Sequence, residues 1–272
     1  MAGYPERVAA GRGGMSRRDL LKALGIGVPG AYLLSGCAPS VSPTFPEPNH
    51  SDPDPVPFVD GVIAGDPRPD GAVIWTRVQA GPGPIGVLWS VATDPSFASV
   101  VAGGVVTAEA SGDHAVHVLV DGLQSDSWYW YRFEADGVAS RTGRLRTAPS
   151  PGATVDSMRF AFSSCQQLNP SWFVAHRAAA AEPDLDFFMH LGDYVYVSDT
   201  GTQTLDDYRD VYHRWRRDPL LREFHATVPM VAMWDDGEFY NGVDKYGPPA
   251  RLAAGRQAWF ENMPILNDGA DT

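Results

Sequence analysis

Three apolar runs each end in residues able to hold a cation. Asp186-Phe-Phe-Met-His-Leu191 leads into Gly192-Asp193-Tyr194-Val195-Tyr196. Met158-Arg-Phe-Ala-Phe-Ser-Ser164 leads into Cys165-Gln166, and Val228-Pro-Met-Val-Ala-Met-Trp234 into Asp235-Asp236-Gly237-Glu238. Gly192 lets the backbone turn sharply, and the carboxylate of Asp193 behind it can bridge two cations. Tyr196, three residues on, can turn its phenol to the same centre. Cys165 is a soft ligand, and thiolate beside phenolate favours ferric iron over magnesium. Asp236 adds a hard oxygen suited to calcium or a second divalent ion. Each element alone has an ordinary reading. A free cysteine is usually a small buried hydrophobe, a Gly-Asp pair a turn, and a strand-end tyrosine a packing residue. Together and in this order, Cys165, Asp193, Tyr196 and Asp236 form a candidate metal site.

The elements that must position these residues follow from the pattern around them. The apolar runs read as buried strands, and open α/β sheets carry their functional crevice outside the carboxyl ends of such strands. From Asp156 onward, strands alternate with helical stretches at 172–182, 204–215 and 251–263. In the second of these, Leu205, Tyr208, Tyr212 and Trp215 recur at helical spacing. That is a βαβ layout, which predicts a mostly parallel sheet covered by helices over 156–272. From Phe58 to about Thr147 the pattern is β: Gly71–Val78, Ile85–Val91, His114–Val120 and Trp128–Phe133 are apolar or aromatic runs separated by turn residues. About seven short strands in this stretch predict an all-β sandwich of the fibronectin or immunoglobulin kind over 58–150. His176, His213 and His225 read as core-edge or surface groups, and His190 as a support for Asp193. Arg209, Arg214, Arg216 and Arg217 read as a solvated helix face.

The N-terminus reads as an address. Ser16-Arg17-Arg18 precedes an apolar stretch from Ala23 to Leu34, then Leu34-Ser35-Gly36-Cys37. This order predicts twin-arginine export over residues 1–37, with lipidation at Cys37 tethering the protein to the membrane. The apolar stretch is shorter than the ~20 residues that a spanning helix needs. Residues 38–57 are Pro-rich and read as an extended spacer. The chain has 272 residues and a net charge of −12, which argues against a nucleic-acid partner. Its two cysteines, Cys37 and Cys165, each have a separate use, so no disulfide is expected.

The chain resembles the alkaline phosphatase D family of metallophosphatases over residues 56–264. The resemblance rests on Gly61–Pro67, Val73–Arg77, Trp128–Arg132, Ser164-Cys-Gln166, His190–Tyr196, Tyr208-Arg209 with Tyr212, and Trp234-Asp-Asp236 with Glu238. It implies an N-terminal β-sandwich joined to a calcineurin-like phosphoesterase domain. It also implies a ferric ion with calcium partners (Fe3+ and Ca2+), held in part by Cys165, Asp193, Tyr196 and Asp236. The implied activity is hydrolysis of phosphate mono- and diesters. Two departures stand out. The family reads Trp-Asp-Asp-His-Glu, whereas Gly237 occupies the histidine position here, so no catalytic side chain is assigned there. The family also continues well beyond a point equivalent to Thr272. The expectation is therefore a truncated phosphoesterase domain, a fragment or a frame-disrupted copy, with poor activity alone. The rival expectation is a non-catalytic cell-surface binding lipoprotein with a vestigial phosphatase half.

Overall fold

The computed structural model describes residues 54–168, 173–182, 184–244 and 246–266. The chain divides into units 1–47 and 48–272, and every described residue belongs to the second. The twin-arginine segment, Cys37 and spacer residues 38–53 lie outside the described residues. Eight strands come first: β1 (Val62–Arg68), β2 (Gly71–Arg77), β3 (Ile85–Ala92), β4 (Val100–Ala108), β5 (Ala115–Val120), β6 (Trp128–Ala135), β7 (Val138–Ala139) and β8 (Gly143–Arg146). Then follow β9 (Phe160–Ser163), α1 (Val174–Ala180), β10 (Phe187–Leu191), α2 (Leu205–Arg216), α3 (Pro219–Thr227), β11 (Met230–Met233) and α4 (Pro249–Asn262).

One sheet runs β5-β2-β1-β11-β10-β9; a second runs β4-β3-β6-β7, with β8 also on β6. The first sheet does not stop between the β-rich and the α/β stretches. β1 pairs in parallel with β11 at Gly65 and Met230, while β9, β10 and β11 are parallel to one another. The two faces of this sheet enter different cores. Val62, Ala64, Ala72 and Ile74 pack against Tyr129, Tyr131 and Phe133 of β6, whereas Ile63 and Trp75 join Phe188, Tyr212 and Trp259. Covered on both sides, β2 is buried at every residue; Ala72–Trp75 is an apolar run, and the buried polar groups of Thr76 and Arg77 are met by Gly61 O and Asp60. β6, covered on one side, alternates. The other face of β9–β11 leaves Phe160, Phe162, Leu191 and Met233 exposed.

α2 starts from a reciprocal cap in which Thr204 accepts from the Asp207 N–H and Asp207 from the Thr204 N–H. It buries Tyr208, Val211, Tyr212 and Trp215. Four elements correspond to no run singled out in the sequence as a strand or helix: β1, β4, β7 and α3. α3 does carry a local signature, because Asp218 caps the N–H groups of Leu220 and Leu221 ahead of Pro219. Two expectations are corrected. Asp54, placed in the spacer, is buried and paired with Arg141 and Arg222, because these guanidinium groups hold its carboxylate in the fold. Arg216, placed on a solvated face, is 1% exposed and lies over the Trp75 ring at 4.2 Å. Arg214 and Arg217 are exposed as expected, whereas Arg209 is not freely solvated. Arg209 makes a two-pronged contact with Glu261 at 2.7 Å, and Arg217 reaches Asp60 at 3.4 Å. Among the described residues no helix is long and apolar enough to cross a membrane.

Candidate metal centre

The candidate ligands sit where parallel strands β9, β10 and β11 release the chain, so strand pairing fixes their spacing. Backbone bonds then lock the turns together. The Cys165 N–H donates to Gly192 O at 3.1 Å, and the Gln166 N–H to Asp193 O at 3.0 Å. Cys165 and Asp193 both hold left-handed backbone conformations, with φ of 58° and 56°. For non-glycine residues these conformations persist only when the surroundings over-determine them. Gly192, at φ 97°, is required on two counts, since a Cβ there would meet Asp235 Cβ at 2.6 Å and Asp235 N at 2.9 Å.

Asp193 is the hub. Its Oδ2 accepts from the Cys165 thiol at 3.3 Å and the Tyr196 hydroxyl at 2.9 Å. Its Oδ1 accepts from the Gly237 N–H at 2.9 Å. Burial pushes the Tyr196 phenol up, and the adjoining thiol and carboxylate push it further. Carboxylate oxygens of Asp193, Asp235 and Asp236 lie within 4.8 Å of one another. Bringing three carboxylates so close is unfavourable unless a cation or protons intervene. A hard ion with several oxygen ligands fits this donor set.

Thus the structure gathers Cys165, Asp193 and Tyr196 at one oxygen and places Asp236 nearby. Asp235, passed over in the sequence, joins the carboxylate group; its only signal was being the first of an acidic pair. Glu238 has a different part. It is fully buried and accepts from the N–H groups of Tyr194 at 2.6 Å, Asp235 at 2.9 Å and Asp193 at 3.2 Å. One carboxylate therefore ties the β10 turn to the β11 turn. Burial pushes Glu238 up to about 7, against those N–H bonds.

Position 237 is closed to side chains in this arrangement. A Cβ there would meet Asp193 Oδ1 at 2.6 Å and Val195 O at 2.8 Å.

Three of the four histidine expectations are corrected, while His213 sits at the core edge as expected. The His190 ring makes no hydrogen bond among the described residues and packs against Phe188 and Tyr194, because it lies on the core face of β10, so it does not hydrogen-bond to Asp193. His176 and His225 are core residues rather than edge ones, and His225 Nε2 lies 2.8 Å from the Tyr194 hydroxyl. Burial pulls His176 down to about 4 and His190 to about 3, and His225 well below its ordinary value. His213 pairs with Asp113 at 2.5 Å.

Residues 42–149 match the family described as PhoD-like phosphatase, N-terminal domain, and residues 160–272 the family described as PhoD-like phosphatase. Alkaline phosphatase D of Bacillus subtilis (strain 168) is 38% identical over 242 residues, covering 77% of this chain and 41% of that protein. The solved structure of PhoD superposes with a TM-score of 0.72 at 35% identity, over 78% of this chain and 47% of that one. A purple acid phosphatase from yellow lupin seeds shares the fold alone, with a TM-score of 0.50, 12% identity, and coverage of 76% and 41%. The chain thus spans less than half the length of each of these relatives.

Proposed function

Because the chain belongs to the PhoD-like phosphatase family, we propose that it is a metal-dependent phosphoesterase acting on phosphate mono- or diesters. The observation that carries the reading is the convergence of the Cys165 thiol and the Tyr196 hydroxyl on Asp193 Oδ2, with Asp235 and Asp236 close by. Asp193, Asp235 and Asp236 would hold hard cations, while Cys165 and Tyr196 would complete a ferric site after losing their protons. Such ions supply Lewis-acid stabilisation of the charge developing on a phosphate ester. The residues of the chain do the positioning. Gly237 N–H fixes Asp193 Oδ1, and Glu238 fixes the turns beneath. Gly237 offers no side chain for proton transfer, a contribution of ~10²–10⁴-fold where it is present.

The test is hydrolysis of an aryl phosphate monoester and diester at alkaline pH with iron and calcium supplied. We expect turnover well under the ~10 per second typical of enzymes, lost on chelation and in Asp193→Asn. The iron form should show a visible charge-transfer band that Tyr196→Phe abolishes. Hydrolysis indifferent to chelators, or a colourless protein holding zinc alone, would refute the reading.

The reading includes a fibronectin- or immunoglobulin-like sandwich over 58–150 and a calcineurin-like phosphoesterase portion over 156–272. The shared apolar core of β1, β2, β5, β6 and β8 supports the first. Limited proteolysis should cut first between Pro149 and Ser157; initial cleavage elsewhere would count against the division. Export rests on residues 16–37 alone. Arg17→Lys with Arg18→Lys should block export, and Cys37→Ala should release soluble protein; unchanged fractionation in both would sink that part.

A further inference from the structure

The turn after β10 carries Asp193 and Tyr196 and the turn after β11 carries Asp235 and Asp236, on separate loops, and α4 lies beyond both in sequence. Direct ties between these loops include Val197 N–H to Gly237 O at 3.1 Å and Asn241 N–H to Asp199 Oδ1 at 2.9 Å. Arg251, in the first turn of α4, reaches both. Its guanidinium donates through Nη1 to Asp199 O at 3.0 Å and through Nη2 to Ser198 O at 3.1 Å. Its Nε donates to the Tyr208 hydroxyl at 3.3 Å, and Tyr208 in turn donates to Phe239 O. The Tyr240 ring centroid lies 4.5 Å from the guanidinium carbon. Ser198 is two residues past Tyr196 and Tyr240 four past Asp236, so a single side chain touches both ligand-bearing loops just downstream of the ligands. Arg251 is 9% exposed, and among the described residues it forms no ion pair within 4 Å. Its donors serve loop carbonyls and a phenol.

We propose that Arg251 is a positioning residue for the metal centre. Its planar fork holds the Tyr196 loop against the Asp235–Asp236 loop and thereby sets metal affinity. The proposal rests on the metal-dependent reading above. A lysine keeps the charge but cannot bond two carbonyls and a phenol from one rigid plane while lying over a ring.

The experiment titrates the 272-residue chain with Mn2+, reading free ion by electron paramagnetic resonance, and records thermal stability alongside. Groups that orient metal ligands typically govern ~10–100-fold in affinity, and Arg251 acts one step further out. We expect Arg251→Lys and Arg251→Gln to weaken Mn2+ binding about tenfold. Arg222→Lys, which alters a buried arginine that donates to Val59 O away from these loops, should leave affinity unchanged at similar thermal loss. Tyr240→Leu removes the ring beneath the guanidinium and no buried hydrogen bond; it should weaken binding too, and keeps the test open if the Arg251 variants do not fold. Unchanged affinity in the folded variants, or losses that merely track thermal stability as in Arg222→Lys, would overturn the proposal. A wild-type chain that binds no Mn2+, or binding that survives Asp193→Asn, overturns the metal reading itself and this proposal with it.

Discussion

Replacing Glu238 by glutamine exchanges one oxygen for an amino group in the clamp beneath the candidate metal centre. The carboxylate accepts from Tyr194 N–H on Oε1, and from Asp193 and Asp235 N–H on Oε2. Glutamine has one acceptor oxygen, so neither amide orientation satisfies all three donors. The better orientation keeps the two bonds on the Oε2 side and turns the amino group toward the Tyr194 N–H, setting donor against donor at what is now a 2.6 Å contact. A buried donor left unpaired costs about 1–3 kcal/mol. The two surviving bonds also lose their charge assistance, which roughly doubles a hydrogen bond. Glutamine also escapes the burial cost that raises the carboxyl to about 7, so we expect a net destabilisation of about 1–2 kcal/mol. It is to be read as the shift in urea midpoint at pH 8 by fluorescence of the eight tryptophans, with the slope unchanged. A Glu238→Gln midpoint equivalent to less than about 0.5 kcal/mol of change, within the usual range for surface substitutions, would show that the carboxylate is not what joins the turns.

Gly237→Ala should destabilise by about 1–3 kcal/mol, the usual range for overpacking. It should also weaken Mn2+ binding, because the new Cβ meets Asp193 Oδ1 and the unyielding Val195 carbonyl; wild-type affinity with wild-type stability would contradict the geometry. Asp218→Ala should cost about 1 kcal/mol through the lost cap of α3, checked by the same urea titration with metal binding unaffected. Acid should unfold the protein early. Burial holds His117 and His176 near 4 and His190 near 3, while the unfolded chain keeps them near 6.5 and binds more protons. Their stabilisation is complete above about pH 6.5 and is lost as pH falls toward 4 for His117 and His176 and toward 3 for His190, at full effect on the order of 3 kcal/mol for each of the first two and about 5 kcal/mol for the third. Glu238, raised to about 7, works in the opposite sense, its contribution complete below about pH 4.5 and lost as pH rises through 7. One carboxyl does not offset three histidines, so the urea midpoint should fall steadily between pH 7 and 4.5, and a flat profile would contradict this balance.

The ligand-bearing turns were legible because their signals are local. An apolar run followed at once by Cys165, by Gly192-Asp193 or by an acidic pair marks a strand end with chemistry on it, whatever lies elsewhere in the chain. The start of α2 was legible for the same reason, since Tyr208, Tyr212 and Trp215 repeat within one helix. Arg216 was misread although it lies four residues past Tyr212 on the same face. What buries it is Trp75 of β2, and no local pattern announces a partner from so distant a strand. The passage of one sheet through both halves depends on a single parallel pairing, Gly65 with Met230, and such a pairing leaves no periodic trace. Glu238 looked like one more acidic residue until folding brought the Tyr194 and Asp193 N–H groups to it. At Gly237 the sequence by itself determined only that a side chain is absent. Tertiary structure decided why none fits: the space belongs to the carboxylate of Asp193 and the carbonyl of Val195, delivered there by strand β10.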